Sequence, residues 1–225
     1  MSQNEIHNVE DKPLSFGVVL FPGFQALDVF GPLDAFNILS TLYKLNLYVL
    51  AETLDPVSTK PLTEGLGSDF GQSILPTHTF TTAPPLDVLL VPGGRGTRVS
   101  GIASAVEFVR DVFPTLRYLI TVCTGAGIAA RAGVLDGRRA TTNKRAWEET
   151  IALGPKVRWV HRARWVEDGN IWTSSGISAG IDVTFAWMRA VYGDDIAKNI
   201  ADRMEYTPIM DSDNDPFADR WGAKK

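Results

Sequence analysis

The sequence predicts one α/β domain built on a parallel sheet with helices on both faces, and three observations carry that prediction. Short apolar runs, SFGVVLF (15–21), LDVLLV (86–91) and YLITV (118–122), are hydrophobic throughout rather than alternating, as strands buried on both faces are. Helical stretches separate them, which is the pattern of crossover connections between parallel strands. Pro22-Gly23, Pro92-Gly93-Gly94 and Cys123 each follow directly after one of these runs. In such a sheet, ligands bind beyond the carboxyl ends of the strands, so these three places fall at one edge.

Taken in order, residues 1–14 read as a disordered arm, residues 15–206 as the single domain and residues 207–225 as a tail. After the first strand a helix runs from about Ala26 to about Thr41, with Leu27, Phe30, Leu33, Ile38 and Leu42 on its apolar side. Pro32 lies inside it and predicts a kinked or separate first turn. NLYVLAE (46–52) is the next strand, and the Thr-, Pro- and Gly-rich stretch 53–85 predicts short strands and loops. A helix near 99–113 leads to the strand that ends at Cys123, and TGAGIAARAGVL (124–135) is a helix of small residues suited to close packing on a sheet. RRATT (138–142) reads as a strand and 146–153 as a helix. VRWVHRARWV (157–166) reads as one extended strand that the Glu167-Asp168-Gly169-Asn170 turn folds back onto IWTSS (171–175). Two closing helices carry Ile181, Phe185, Met188 and Val191, then Ile196, Ile200 and Met204, each set on one face. No internal repeat or linker divides the chain.

The 225 residues are 44% hydrophobic, enough for a sizeable core, and 22 basic against 26 acidic side chains give a formal charge of -4. That balance carries no polyanion signature, so neither nucleic acid nor a membrane surface is an expected partner. No apolar run approaches a membrane span. The N-terminus MSQNEIHNVEDKP lacks the basic and apolar regions of a signal peptide. One cysteine cannot form an internal disulfide, which fits a reducing compartment. These readings predict a soluble cytoplasmic protein. His7, His78, His161 and Cys123 are scattered without metal-ligand spacing, so no zinc site is expected.

Cys123 is the first candidate for chemistry. A lone cysteine is often a buried apolar residue. Here it joins an apolar strand to a small-residue helix, an elbow that presents a nucleophile at the sheet top. The N–H groups that open a helix also favour a thiolate, which predicts a reactive, oxidation-prone thiol. The N–H of Thr124 and the Gly93-Gly94 turn are candidate donors for charge developing on a substrate. Asp28 is the candidate proton partner. It reads either as an ordinary acid in a first helical turn or, set between Leu27, Val29 and Phe30, as a partly buried group with a raised pKa. Asp34 lies about 240° around the same helix and is expected in solvent. His161, flanked by Arg162 and Arg164, reads as a surface or interface residue, so no Cys-His pair is legible.

With these residues in place, the sequence resembles the ThiJ/PfpI superfamily. The stretches that carry the likeness are GVVLFPGFQALDVFGPLDAF, LDVLLVPGG, YLITVCTGAGIAARAGVLDGRRATTN and DGNIWTSSGISAGIDV, in the family's order over most of residues 16–185. The resemblance implies a flavodoxin-like three-layer α/β/α sandwich, the fold of class I glutamine amidotransferases. LDVFGPLDAF and GISAGID are most similar to isonitrile hydratases. The same stretches resemble the sensor domains of AraC-type regulators, which continue into a helix-turn-helix domain that a chain ending at Lys225 is not expected to hold.

By motif, the resemblance makes Cys123 the elbow nucleophile, Asp28 its acid partner and Thr124 the neighbouring site threonine, with Gly93, Gly94, Ser175, Gly176, Ile177 and Asn143 as the substrate- and oxyanion-binding set. Many relatives carry a histidine where Asn143 stands, a departure that speaks against protease-like and glyoxalase-like activity, and the family often has a glycine where Ser175 stands, a departure expected to narrow the pocket or stiffen the elbow. The implied function is a cofactor-independent, metal-free isonitrile hydratase acting as a homodimer on a small molecule. A glyoxalase-like aldehyde hydratase and a cysteine-based redox sensor are the alternatives.

Overall fold

A computed structural model describes residues 12–60 and 68–221. Its centre is a seven-stranded sheet of β1 (Ser15–Val19), β2 (Asn46–Ala51), β5 (His78–Thr79), β6 (Val88–Val91), β7 (Tyr118–Thr121), β10 (Trp165–Asp168) and β11 (Ile171–Ser174), in the order β10-β11-β7-β6-β1-β2-β5. All neighbours are parallel except the β10–β11 hairpin. The expected core of the site follows directly, because β1, β6 and β7 lie side by side, with Val18 level with Leu90 and Leu90 level with Ile120. Every residue of β6 is buried, as its unbroken apolar run requires.

Two helix groups cover the sheet. Helices α1 (Ala26–Leu39), α5 (Ala179–Tyr192) and α6 (Asp194–Arg203) pack together, while α2 (Ala103–Val112), α3 (Gly125–Arg131) and α4 (Trp147–Ile151) form the other layer. This is the expected α/β/α sandwich. The stretch 53–85 holds the small β3 (Val57–Ser58) and β4 (Ser73–Ile74) pair and the strand β5, with residues 61–67 outside the described ones. The arm expected over residues 1–14 lies almost wholly outside them too.

Three expectations need correction. VRWVHRARWV is not one strand. It splits into β9 (Arg158–Trp159), which pairs with β8 (Arg139–Ala140), and β10. The chain turns between them, where the Ala163 N–H donates to the His161 carbonyl (3.1 Å), and Arg164 points inward to Asp182 (Nη2···Oδ2 2.7 Å). Second, α1 is continuous through Pro32 and its buried arc is Asp28, Val29, Pro32, Leu33, Phe36 and Leu39, leaving Leu27, Phe30 and the following Leu42 exposed. Third, the segment after residue 206 is docked rather than free. The N–H of Ile209 donates to Asp182, that of Arg164 to the carbonyl of Ser212, and Asp215 and Ala218 are buried.

Candidate active site

The loop after β1 is tied to the loop after β6. Gln25 N–H donates to the Gly93 carbonyl (2.8 Å) and Phe24 bridges Gly94. That contact sets the first turn of α1 over the end of β6 and drives Asp28 into the protein, where it is 0% exposed. One carboxylate oxygen accepts the Gly93 N–H (2.9 Å); the other, Oδ1, is buried with no hydrogen-bond partner. Burial raises the Asp28 pKa from 3.8 to about 7, against the lowering effect of the Gly93 N–H and of the Cys123 thiol beside it. The reading of Asp28 as a buried acid therefore holds over that of an ordinary helix-terminal one. Asp34 is exposed, as expected.

Cys123 follows β7 with a φ of 58°, in the left-handed region that side chains rarely adopt. The elbow is held by its own backbone. Its N–H donates to the Ser175 carbonyl (3.1 Å), and its carbonyl accepts from Thr142 Oγ1 (2.8 Å). Around the sulfur stand the backbone N–H groups of Ile177 and Thr124, and Asn143 Nδ2 donates to Sγ at 3.1 Å. The thiol is nevertheless pushed up to about 12, first by burial and then by the neighbouring Asp28 carboxyl, which together outweigh those donors. The expected thiolate is thus corrected. The helix that opens at Gly125 has only seven residues, and the sulfur sits in a largely dry site, 5% exposed.

The glycine turn is also used differently from expectation. Gly93 N–H is spent on Asp28 and Gly94 N–H on Thr124 Oγ1 (3.0 Å), so neither is a free oxyanion donor. Gly93 is needed for close approach, since a Cβ there would lie 2.5 Å from the Thr124 nitrogen. Thr124 is also within 3.3 Å of Thr97 Oγ1 and serves the loop through its side chain and the sulfur through its N–H.

On the opposite side, Asn143 spans two elements. Its Nδ2 meets the sulfur while its Oδ1 accepts the Ala146 N–H (3.0 Å) just before α4. Gly176 permits this, because a Cβ there would stand 2.5 Å from Asn143 Nδ2. Ile177 reaches the sulfur from a strained φ of 46°. Ser175 lends its backbone to the elbow and its hydroxyl to Asp215 (2.8 Å).

Sequence reasoning missed Lys144 and Asp215. Both are buried, 3.3 Å apart, and Lys144 also donates to Thr141 Oγ1, the Thr142 carbonyl and the Ala163 carbonyl. Burial pulls Lys144 down to about 8 against the charge of Asp215. The only sequence signal was a lysine following a Thr-Thr-Asn run. His161 lies off the site with its ring against Trp147 (4.8 Å), and His78, in β5, bonds Thr77 just before it; His7 is outside the described residues.

The fold and this elbow define a flavodoxin-like α/β protein with a cysteine at the strand-to-helix turn. The DJ-1/PfpI family profile matches residues 15–190, and the chain belongs to that family. It is 34% identical over 202 residues to the isonitrile hydratase of Pseudomonas putida, covering 89% of this chain and 82% of that one. It is 37% identical over 122 residues to a deglycase of Pyrococcus horikoshii, covering 53% of this chain and 69% of the other. A ThiJ/PfpI family protein from Pseudomonas syringae superposes with a TM-score of 0.74 at 28% identity, over 92% of this chain and 83% of that one. Among the described residues no helix is long and apolar enough to cross a membrane.

Proposed function

We propose that this protein hydrates isonitriles to N-substituted formamides, with Cys123 as nucleophile and Asp28 as the group that moves the proton. The observation that carries the reading is the buried, unpartnered Oδ1 of Asp28 beside a protonated thiol. An isonitrile carbon must gain both a nucleophile and a proton, and this pair supplies both. The sulfur attacks the terminal carbon while the thiol proton passes through Asp28 to that same carbon, giving a thioimidate, R–N=CH–S. Water then adds to this carbon as Asp28 takes one of its protons. Asp28 passes that proton to the nitrogen, then takes the hydroxyl proton and hands it to the sulfur as the carbon–sulfur bond breaks, so the formamide leaves and the thiol is restored. Thr124 and Ile177 direct N–H groups at the sulfur, and Asn143 steadies it as it gains charge.

Similarity to the Pseudomonas putida hydratase over most of both chains supports this choice. Asn143 weighs against glyoxalase-like or deglycase-like turnover, which asks for a base that cycles near neutral pH, a task suited to histidine. We also propose a homodimer, seated on the exposed Leu27 and Phe30 of α1 and Leu47 of β2; a monomer mass in solution removes that part. The decisive assay offers the purified protein an isonitrile panel and methylglyoxal, with Cys123→Ala as control. Formamide formation with little lactate is the expected result, and a kcat/KM preference for methylglyoxal defeats the reading.

A further inference from the structure

Two grips hold the backbone of Cys123 in its left-handed conformation, and they come from different loops. The Ser175 carbonyl, just after β11, accepts its N–H, and Thr142 Oγ1, just after β8, donates to its carbonyl. Strained backbone of this kind persists only where its surroundings over-determine it. The same two loops carry donors to the sulfur. Asn143 follows Thr142 directly, and Ile177 stands two residues past Ser175. Whatever moves either loop moves the elbow and its donors together.

Both loops are mounted on one buried ion pair. Lys144 Nζ donates to the Thr142 carbonyl (3.0 Å) and to Thr141 Oγ1 (2.7 Å), and it faces Asp215 Oδ2 at 3.3 Å. That same Oδ2 accepts the Ser175 hydroxyl (2.8 Å), so one carboxylate oxygen is the joint between the two loops. The two charged side chains are 1% and 0% exposed, which leaves no water to replace the link. Asp215 arrives from the segment after α6, whose approach is fixed by the Ile209 N–H on Asp182 and the Ser212 carbonyl on Arg164. Lys144 is not a proton source for the reaction. Its three protons are shared among oxygens of Thr141, Thr142, Ala163 and Asp215, so it acts through the loops. Asp28 is mounted elsewhere, on α1 against the Gly93 turn. Loosening the joint therefore shifts the sulfur relative to its proton carrier.

We propose that Lys144, Asp215 and Ser175 are positioning residues, and that the joint at Asp215 places the Cys123 sulfur against Asp28 and so sets the rate of the chemical step rather than the strength of binding. This rests on the hydratase reading for the reaction that is timed. Misplacing a reacting group by about 1 Å costs on the order of 10²-fold in rate, so a joint remote from the substrate has leverage on kcat.

The test separates positioning from mere support. Lys144→Met/Asp215→Leu replaces the pair by apolar side chains, an exchange that is often neutral or stabilising for buried ion pairs. This double variant should melt close to the wild type, yet its kcat on an isonitrile should fall by about 10- to 100-fold with KM within about twofold. Ser175→Ala keeps the ion pair and the Ser175 carbonyl and cuts only the joint. It should lose about tenfold in kcat, and it decides the matter if the double variant does not fold. A second readout needs no substrate. The chain has one cysteine, so the Raman S–H stretch has a single source, assigned by its loss in Cys123→Ala. That band should move in the double variant and in Ser175→Ala, because donors to the sulfur have shifted. Wild-type kcat in a folded double variant or in Ser175→Ala overturns the proposal, and so does a loss carried by KM alone. Absence of any isonitrile turnover overturns the hydratase reading alone. The S–H band then decides the positioning role, and an unmoved band in both variants refutes it.

Discussion

Asp28 and Lys144 are both charged groups buried within reach of one cysteine loop, yet they are finished differently. Lys144 has its donors satisfied by three oxygens and faces Asp215. Asp28 has one oxygen on Gly93, the Cys123 thiol beside its carboxyl, and Oδ1 otherwise unpartnered. A saturated buried charge is a strut, since any change leaves a partner stranded. A buried carboxyl with a free oxygen is poised for proton transfer, since nothing competes with an incoming substrate. The site thus has a reactive side, made by the ends of β1, β6 and β7, and a supporting side, made by the β8 loop, the β11 loop and the docked segment after α6.

The largest expected effect falls on the reactive side. Cys123→Ala should lower turnover by about 10⁴-fold or more while leaving the circular dichroism spectrum unchanged. Residual hydration near the wild-type rate would place the chemistry elsewhere. Asp28→Asn keeps the shape and the Gly93 hydrogen bond, and should cost about 10²–10⁴-fold. The same variant should gain stability. The Asp28 pKa is raised in the folded state, so the folded protein holds a proton that the unfolded chain has released between pH 3.8 and about 7. Stability is therefore lost as pH rises through that window, by at most about 4 kcal/mol. Asp28→Asn should melt above the wild type at pH 8 and close to it at pH 4. Equal melting curves at both values would mean that Asp28 is not a buried ionisable group.

On the supporting side the pattern should invert, with stability lost first. Asp215→Ala strands the Lys144 ammonium and should cost about 3–5 kcal/mol, read by denaturant unfolding. A variant as stable as the wild type would show that the segment after α6 is not anchored there. Asn143→Ala removes one donor from the sulfur and should reduce kcat/KM by roughly tenfold, an effect of the size of one hydrogen bond to a charged group. A loss as large as that of Asp28→Asn would move Asn143 to the reactive side.

How far each side could be read from the sequence follows the same division. The reactive side was legible because its parts are local. An apolar run ending in Cys123, Pro92-Gly93-Gly94 after another, and Asp28 just past a third all declare a strand end within a few residues. The supporting side depends on pairs far apart in the chain, such as Ser175 with Asp215 and Arg164 with Asp182. Nothing in the spacing of Asp215 distinguishes it from its neighbours Asp211 and Asp213. Buried arginine looked like strand decoration, which is why VRWVHRARWV read as continuous. The thiolate expectation failed for another reason: helix-terminal N–H groups are visible in sequence, but the dryness that opposes them is set by tertiary packing.

One feature of the elbow separates fitness from robustness. With φ at 58°, Cys123 occupies a conformation in which every Cβ is a burden, and a glycine there would relieve on the order of 1 kcal/mol. Cys123→Gly should therefore outlast Cys123→Ala on heating. Drift under selection for durability alone would erase this thiol, so its retention in any descendant of this chain is a record that the sulfur was being used.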